Sequence, residues 1–402
     1  MPRPYGRRPQ ARPATRLVGE PFGAEPRDLS GIAEMRAERW TLRTDPQLDE
    51  RPLDPRIPID LVRRWGLRPG DEIHGRALPP RPGEPMPILQ QISRVDGVSS
   101  PEASQARPRF EDQTPIYPDR IIRLESGGGL TGRLIDLVAP IGRGQRALIV
   151  APPKAGKTHV LKAIARGITD AHAHARLIVA LVGERPEEVT ELRGAISGAV
   201  YASTFDEPAE RHTRIAEVAL EVAKRRAESG EDVVLLLDSL TRLARAYNVD
   251  GPSTGRLLSG GMDAGALYPA KRFFGAARCF EGAGSLTIVA TTLIDTGSKL
   301  DDLVYEEFKG TGNSELHLSR TLAERRIFPA IDITRSGTRA EEKLFDPETL
   351  KAIWRMRRLV AAMGDPLEAT ERLIQGLEKA GSNADFLASI TPPSEGGKGS
   401  GS

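Results

Sequence analysis

A single cysteine, Cys279, stands in 402 residues. That excludes an internal disulfide framework and suits a reducing compartment. A lone thiol of this kind is expected as a small buried residue at a strand or helix end, not as a nucleophile. No apolar run approaches the ~18 residues of a membrane span. The N-terminal arginines are followed by no apolar core, so no signal peptide is read there. The formal net charge is only +2, so bulk charge points to no class of partner. No internal repeat of solenoid length is present. The expectation from these absences is a cytoplasmic protein with no membrane partner.

What is present is length enough for two domains plus tails, each with its own core. Residues 1–30 are rich in Pro, Arg and Gly, and Arg3, Arg7, Arg8, Arg12 and Arg16 come without an acid among them. By composition this is a disordered basic arm, either touching a polyanion or merely solubilising. Residues 31–98 alternate short strand-like pieces (IAEM, RWTLRT, LRPGDEIHGRAL, PILQQISRV) with turn signals, as in a small all-β barrel. Trp40 and Trp65 there suit either base stacking or the core. Residues 99–119 are polar and proline-broken, the pattern of a linker.

From residue 120 to about 390 the pattern becomes apolar runs alternating with helices. The expected strands are 147–151, 176–183, 232–238, 285–293 and 328–333, and helices are expected over 186–196 and 208–229. Near-continuous Val, Leu and Ile runs suit parallel strands buried on both faces, so a doubly wound α/β domain follows. Ligands in such domains bind at the carboxyl ends of the strands. Helical patterns continue after Pro347, and residues 391–402 read as a flexible tail.

The chemistry concentrates in RALIVAPPKAGKT, residues 146–158. An apolar strand runs into Pro152 and Pro153, then Lys154, Ala155, Gly156, Lys157 and Thr158, then the helical run HVLKAIARGI. Strand, phosphate loop and helix together give a Walker A site its mechanism. Gly156 admits the phosphates close to the backbone, and the following helix presents its N–H groups to them. Lys157 is expected on the β- and γ-phosphates and the Thr158 hydroxyl on Mg²⁺. The motif opens with Ala151 in place of Gly, and an ordinary strand–helix turn is the competing reading. The strand DVVLLLD ends at Asp238, the Walker B pattern for holding Mg²⁺; alone, such an aspartate often only caps the next helix. Glu184 ends the intervening strand, where a hydrolase needs its water-activating base. A helix-start carboxylate is the other reading, and the pattern leaves both open.

Seven blocks in order, APPKAGKT, GERPEEVTELR, ASTFDEPAERH, LLLDSLTRLARAYN, KRFFGAAR, ATTLIDTGSKLDDLVYEEFKGTGNSELHLSR and FPAIDITRSGTR, resemble the ATPase domain of the transcription termination factor Rho family. The resemblance covers about residues 121–386. It implies a RecA-like fold and a homohexameric, RNA-dependent ATPase that acts as a 5′→3′ RNA–DNA helicase, with ATP and Mg²⁺ as ligands. Single-stranded RNA and an RNA polymerase elongation complex are the implied partners. By the same resemblance Lys154, Lys157 and Thr158 are the phosphate-loop lysines and Mg²⁺ threonine, Glu184 is the catalytic base and Asp238 the Walker B aspartate. Arg339 corresponds to an arginine finger given to the neighbouring subunit, where a guanidinium offsets charge on the transferred phosphoryl group. Arg185 and Arg326 correspond to further arginines at that boundary, and Phe328 to the ring that stacks on adenine. Residues 251–263 and 293–302 correspond to two RNA-gripping loops in the ring's hole, with Arg256, Gly260, Gly261 and Lys299 as contacts.

Several residues depart from the family's pattern. His159 stands where an apolar residue against adenine is frequent, Gly183 where Asp is frequent, and Arg256 where Lys is usual. The N-terminal domain reads as a degenerate OB-fold of cold-shock type: where the family has an aromatic GFGFLR-like motif, this chain has Glu38-Arg39-Trp40-Thr41-Leu42-Arg43. Only Trp40 offers a stacking ring. A Rho-like ATP- and RNA-binding regulator that does not itself terminate transcription is therefore the alternative reading.

Overall fold

The computed structural model describes residues 25–390 apart from 81, 82 and 173. The basic arginines of the first sixteen residues and the expected flexible tail lie outside the described residues. Four strands, β1 (Arg27–Arg36), β2 (Arg39–Arg43), β3 (Glu72–Leu78) and β4 (Ile88–Val95), form an antiparallel sheet in the order β2-β1-β3-β4. Its core is Ala33, Leu42, Ile73, Ala77, Leu89 and Val95, closed by Val62 and Trp65. Those last two belong to a helix, Ile59–Trp65, that the all-β expectation missed. The helix follows Pro58, whose fixed φ suits a helix entry, and stops at Gly66 in a left-handed conformation, φ 57°. Trp65 is thus a core residue, whereas Trp40 packs half-buried on the edge of the same cluster.

Residues 99–119 are not an open linker. They contain a short helix, Pro101–Gln105, capped by the Ser100 hydroxyl, and the strand β5 (Pro115–Ile116). Phe110 between them is buried edge-on against Phe280, ring centroids 5.0 Å apart, with Arg278 over its face at 4.9 Å. One aromatic with a matching pocket and cation orders a stretch that composition alone makes look loose.

The remaining strands are β6 (Arg146–Ala151), β7 (Ala175–Glu184), β8 (Ala199–Thr204), β9 (Asp232–Asp238), β10 (Arg278–Phe280), β11 (Ser285–Leu293), β12 (Ser314–His317) and β13 (Gly337–Thr338). They build one sheet in the order β13-β12-β6-β11-β9-β7-β8, with β10 on β11 and β5 on β10. The strands β12, β6, β11, β9, β7 and β8 are parallel, so their carboxyl ends share one edge. Alternation along β6 shows why both faces need cover. Ala147, Ile149 and Ala151 enter a core under the helices Glu125–Val138 and Lys157–Ala171; Leu148 and Val150 enter the opposite core under Ala209–Glu228, Leu240–Asp250 and Leu267–Gly275.

Four expected strands are present at nearly the expected bounds. The fifth, 328–333, is not a strand: only Ile331 forms an isolated bridge, to Leu318. Pro329, which lacks an N–H, cannot join a ladder there, and the Phe328–Pro329 peptide is cis. In its place the sheet uses β12, SELH, too short and polar to read from sequence, and β8 was missed likewise.

The two sheets are joined through one helix. Arg214, buried on Ala209–Glu228, donates to both oxygens of buried Glu34 at 2.6 and 2.9 Å. Arg43 reaches the same glutamate, Arg226 pairs with Glu72, and Arg68 lies 3.1 Å from Glu228. Gly70 rests on the backbone of Glu221 with no room for a Cβ.

Candidate ATP site and strand-facing loops

The site is assembled by parallel strand ends. β6 releases the chain at Ala151; Pro152 to Gly156 turn it, and the helix Lys157–Ala171 begins at once. Gly156 precedes that helix with φ 91°, and the turn also holds Lys154 at φ 64°. A side chain at 156 would be strained in this conformation, and glycine leaves the helix N-terminus open to an anion. Ala155 is buried beneath, while Pro153, Lys154 and His159 are exposed around the rim.

Two strands away, β9 ends in Asp238, and beside it β7 ends in Glu184. Both carboxylates are nearly buried, and both accept from one ammonium: Lys157 Nζ lies 2.7 Å from Glu184 Oε1 and 2.6 Å from Asp238 Oδ1. Thr291 on the intervening β11 donates its hydroxyl to Asp238 Oδ1 at 2.6 Å. Arg242 Nη2 stands 3.7 Å from Glu184 Oε2. Glu184 is therefore the last residue of a strand, with its carboxylate on Lys157, and exposed Arg185 occupies the N-cap position of the next helix without a side-chain capping bond.

Burial alone would push the Lys157 ammonium down, yet Asp238 and Glu184 outweigh it and hold it above the ordinary lysine value. Glu184 is pushed up to about 7, first by burial and then by the charge of Asp238, against the pull of Lys157 and Arg242. A buried carboxyl near neutrality, next to a lysine on a phosphate-sized loop, is the pairing a hydrolase needs.

Phe328 is 44% exposed, and its Cε1 atom lies 3.8 Å from where a Cβ at Gly156 would sit. The ring thus flanks the phosphate loop, available for stacking, with exposed Arg326 two residues before it. The hydroxyl of Thr158 and the carboxylate of Asp238 are hard oxygen donors suited to Mg²⁺. Among the described residues no group of three or more His, Cys, Asp or Glu could hold a metal alone.

Arg339 is not part of this assembly. β13 runs antiparallel on β12 with Thr338 opposite Ser314, and the Arg339 N–H donates to the Asn313 carbonyl at 2.9 Å. Ser314 in turn pairs with Ala147, near the start of β6. Arg339 is exposed at the opposite end of the sheet from its own phosphate loop.

The loop residues gather in a second group. Arg256 is exposed, and Gly260 and Gly261 form its neighbouring turn; Gly260, φ 73°, lies directly on the backbone of Leu300. Lys299 is exposed at the first turn of the helix Lys299–Lys309. The two loops therefore touch. Trp40 lies apart, on the N-terminal sheet. Arg242, Thr291 and Asp263 were missed by sequence reasoning. Arg242 follows Asp238 by four residues and Thr291 sits one strand over; only the fold turns those spacings into proximity.

No described helix is long and apolar enough to cross a membrane. Residues 131–338 match the model of the ATP synthase alpha/beta family, nucleotide-binding domain. The chain is 52% identical over 330 residues to the transcription termination factor Rho of Haemophilus influenzae, covering 81% of this chain and 78% of that protein. It is 50% identical over 373 residues to Rho of Streptomyces lividans, covering 92% of this chain but only 52% of that longer protein. Among solved structures it resembles a prototypical ATPase of the type III secretion system of pathogenic bacteria, with TM-score 0.58 and 25% identity over 71% of this chain and 88% of that one. This chain belongs to the transcription termination factor Rho family, and it is an ATP-hydrolysing enzyme of RecA-like fold.

Proposed function

We propose that the chain is the motor of a homohexameric, RNA-dependent ring. It hydrolyses ATP at subunit boundaries, moves 5′→3′ on single-stranded RNA and acts in the cytoplasm on the RNA polymerase elongation complex to end transcription. The observation that carries this reading is the separation of Lys157 and Arg339. One protomer has the phosphate lysine, the base and the metal carboxylate together, while the arginine faces out at the other end of the sheet. A site divided in this way is completed by a second copy.

In this reading Lys157 transfers its hydrogen bonds from Glu184 and Asp238 to the β- and γ-phosphates of ATP, and Phe328 stacks on the adenine. Glu184, released from the lysine, accepts a proton from the water that attacks the γ-phosphorus, and the bond to the β–γ bridging oxygen breaks to leave ADP and phosphate. Thr158 and Asp238 would hold Mg²⁺, which when bound would offset the negative charge of the phosphates. Arg339 of the adjacent protomer stabilises charge on the transferred group. Backbone near Gly260 and Gly261, together with Arg256 and Lys299, grips phosphates without reading bases, as a moving grip requires.

The test is the ATPase rate of the purified chain with and without RNAs of different pyrimidine content, alongside its mass in solution. Stimulation by any single-stranded RNA in a ring-sized assembly is expected. A protein that stays monomeric with nucleotide and RNA both present overturns the reading.

A further inference from the structure

The first loop is closed as a hairpin by hydrogen bonds, although residues 251–261 are all exposed. Leu258 N–H donates to the Met262 carbonyl at 2.7 Å, Ala264 N–H to the Arg256 carbonyl at 2.9 Å, and Leu257 bridges Asp263. Met262 is fully buried in the motor core and anchors the base. The crown carries Arg256 with Leu257, 70% exposed, and Leu258, 40% exposed.

One carboxylate holds this shape. Asp263 Oδ2 accepts from the Ser253 hydroxyl at 3.0 Å and the Thr254 N–H at 2.7 Å; Oδ1 accepts from the Thr254 hydroxyl at 2.7 Å and the Gly265 N–H at 2.8 Å. Asp263's own N–H donates to Asn248 Oδ1 at 2.7 Å, and Asn248 Nδ2 donates to the Gly261 carbonyl at 3.3 Å. Asp263 therefore ties the loop's entry to its exit, and Asn248 ties exit and crown to the helix that follows Asp238. These bonds hold the carboxyl down at about 2.

We propose that Asp263 is a positioning residue for strand binding: it pre-orders the hairpin so that Arg256 meets a phosphate of single-stranded RNA while Leu257 and Leu258 lie against its ribose or base faces. An exposed loop without such bracing has to lose its conformational freedom when the strand arrives, which weakens binding. Here that ordering is complete on folding. The inference rests on the ring-motor reading given above, and it assigns an apolar contact as well as a charged one to the loop.

The test uses the full chain, with a single-stranded RNA homopolymer as the probe, and records ATPase rate against RNA concentration and, separately, against ATP. For Asp263→Ala the RNA concentration for half-stimulation is expected to rise at least tenfold, while the ATP concentration for half-rate at saturating RNA stays within twofold. Asp263→Asn, which keeps acceptor capacity on one oxygen, is expected in between, and Thr254→Val to show a smaller rise of the same kind. Leu257→Ser is expected to raise the RNA requirement severalfold with the hairpin intact. An unchanged RNA requirement in Asp263→Ala and Thr254→Val overturns the proposal, as does a parallel rise for RNA and ATP. A wild-type protein that RNA fails to stimulate would overturn the ring-motor reading instead.

Discussion

The phosphate loop and the loop over residues 251–263 reach a defined shape by opposite means. Around Lys157 order comes from the sheet: four parallel strands, β6, β11, β9 and β7, end side by side, and the carboxylates at their ends are buried. Around Arg256 no strand is available, and order comes from polar bonds to Asp263 and Asn248 in an exposed hairpin. The first arrangement suits chemistry, because a dry site strengthens every charge interaction within it. The second suits a ligand that slides, because a solvated surface releases a phosphate as readily as it takes one.

The comparison is broken most completely by Lys157→Ala, which strips the strand-built site of its cation. Turnover is expected to become undetectable while circular dichroism stays unchanged, and RNA binding by the loops persists. Next comes Arg339→Ala. Hydrolysis should fall by about 10³-fold or more with ATP still bound. Rings mixed from Arg339→Ala and Glu184→Ala subunits should regain activity, since some boundaries then pair an intact glutamate with an intact arginine; an inert mixture refutes a shared site. A pH series sharpens the contrast. The base works as a carboxylate and Glu184 is pushed up to about 7, so kcat/KM should drop about tenfold per pH unit below that value. Asp263, held at about 2, stays ionised throughout, so the RNA requirement should be flat from pH 5.5 to 8. Smallest is Trp40→Ala. If its ring contacts RNA, loading on free RNA weakens severalfold with turnover on threaded RNA unchanged; an equal loss in both marks it as core.

The strand-built half of the molecule was legible because burial on both faces demands apolar runs, and a run ending in Asp238 or Glu184 shows which end carries chemistry. The failures have physical reasons too. β12 is four residues long with a glutamate and a histidine, so nothing in its composition marks a strand, whereas FPAIDI has the apolar content but contains a proline that cannot pair. Phe110 ordered residues 99–119 through partners 170 residues away in the chain. The Asp263 brace combines residues ten positions apart that look like ordinary turn formers. Short polar elements are fixed by their surroundings, which local sequence does not display.

The buried Arg214–Glu34 pair makes the N-terminal sheet part of the engine's housing instead of a detachable accessory. Glu34→Ala in the full chain would keep the guanidinium covered and remove the carboxylate it grips through two hydrogen bonds, whereas a cut after residue 119 would take away the cover as well and return Arg214 to water. Removing one partner of such a pair costs about 3–5 kcal/mol, a large share of a domain's net stability. Isolating the ATPase half by such a cut therefore bares the face of Ala209–Glu228 that Ile32, Glu34 and Leu48 cover in the full chain.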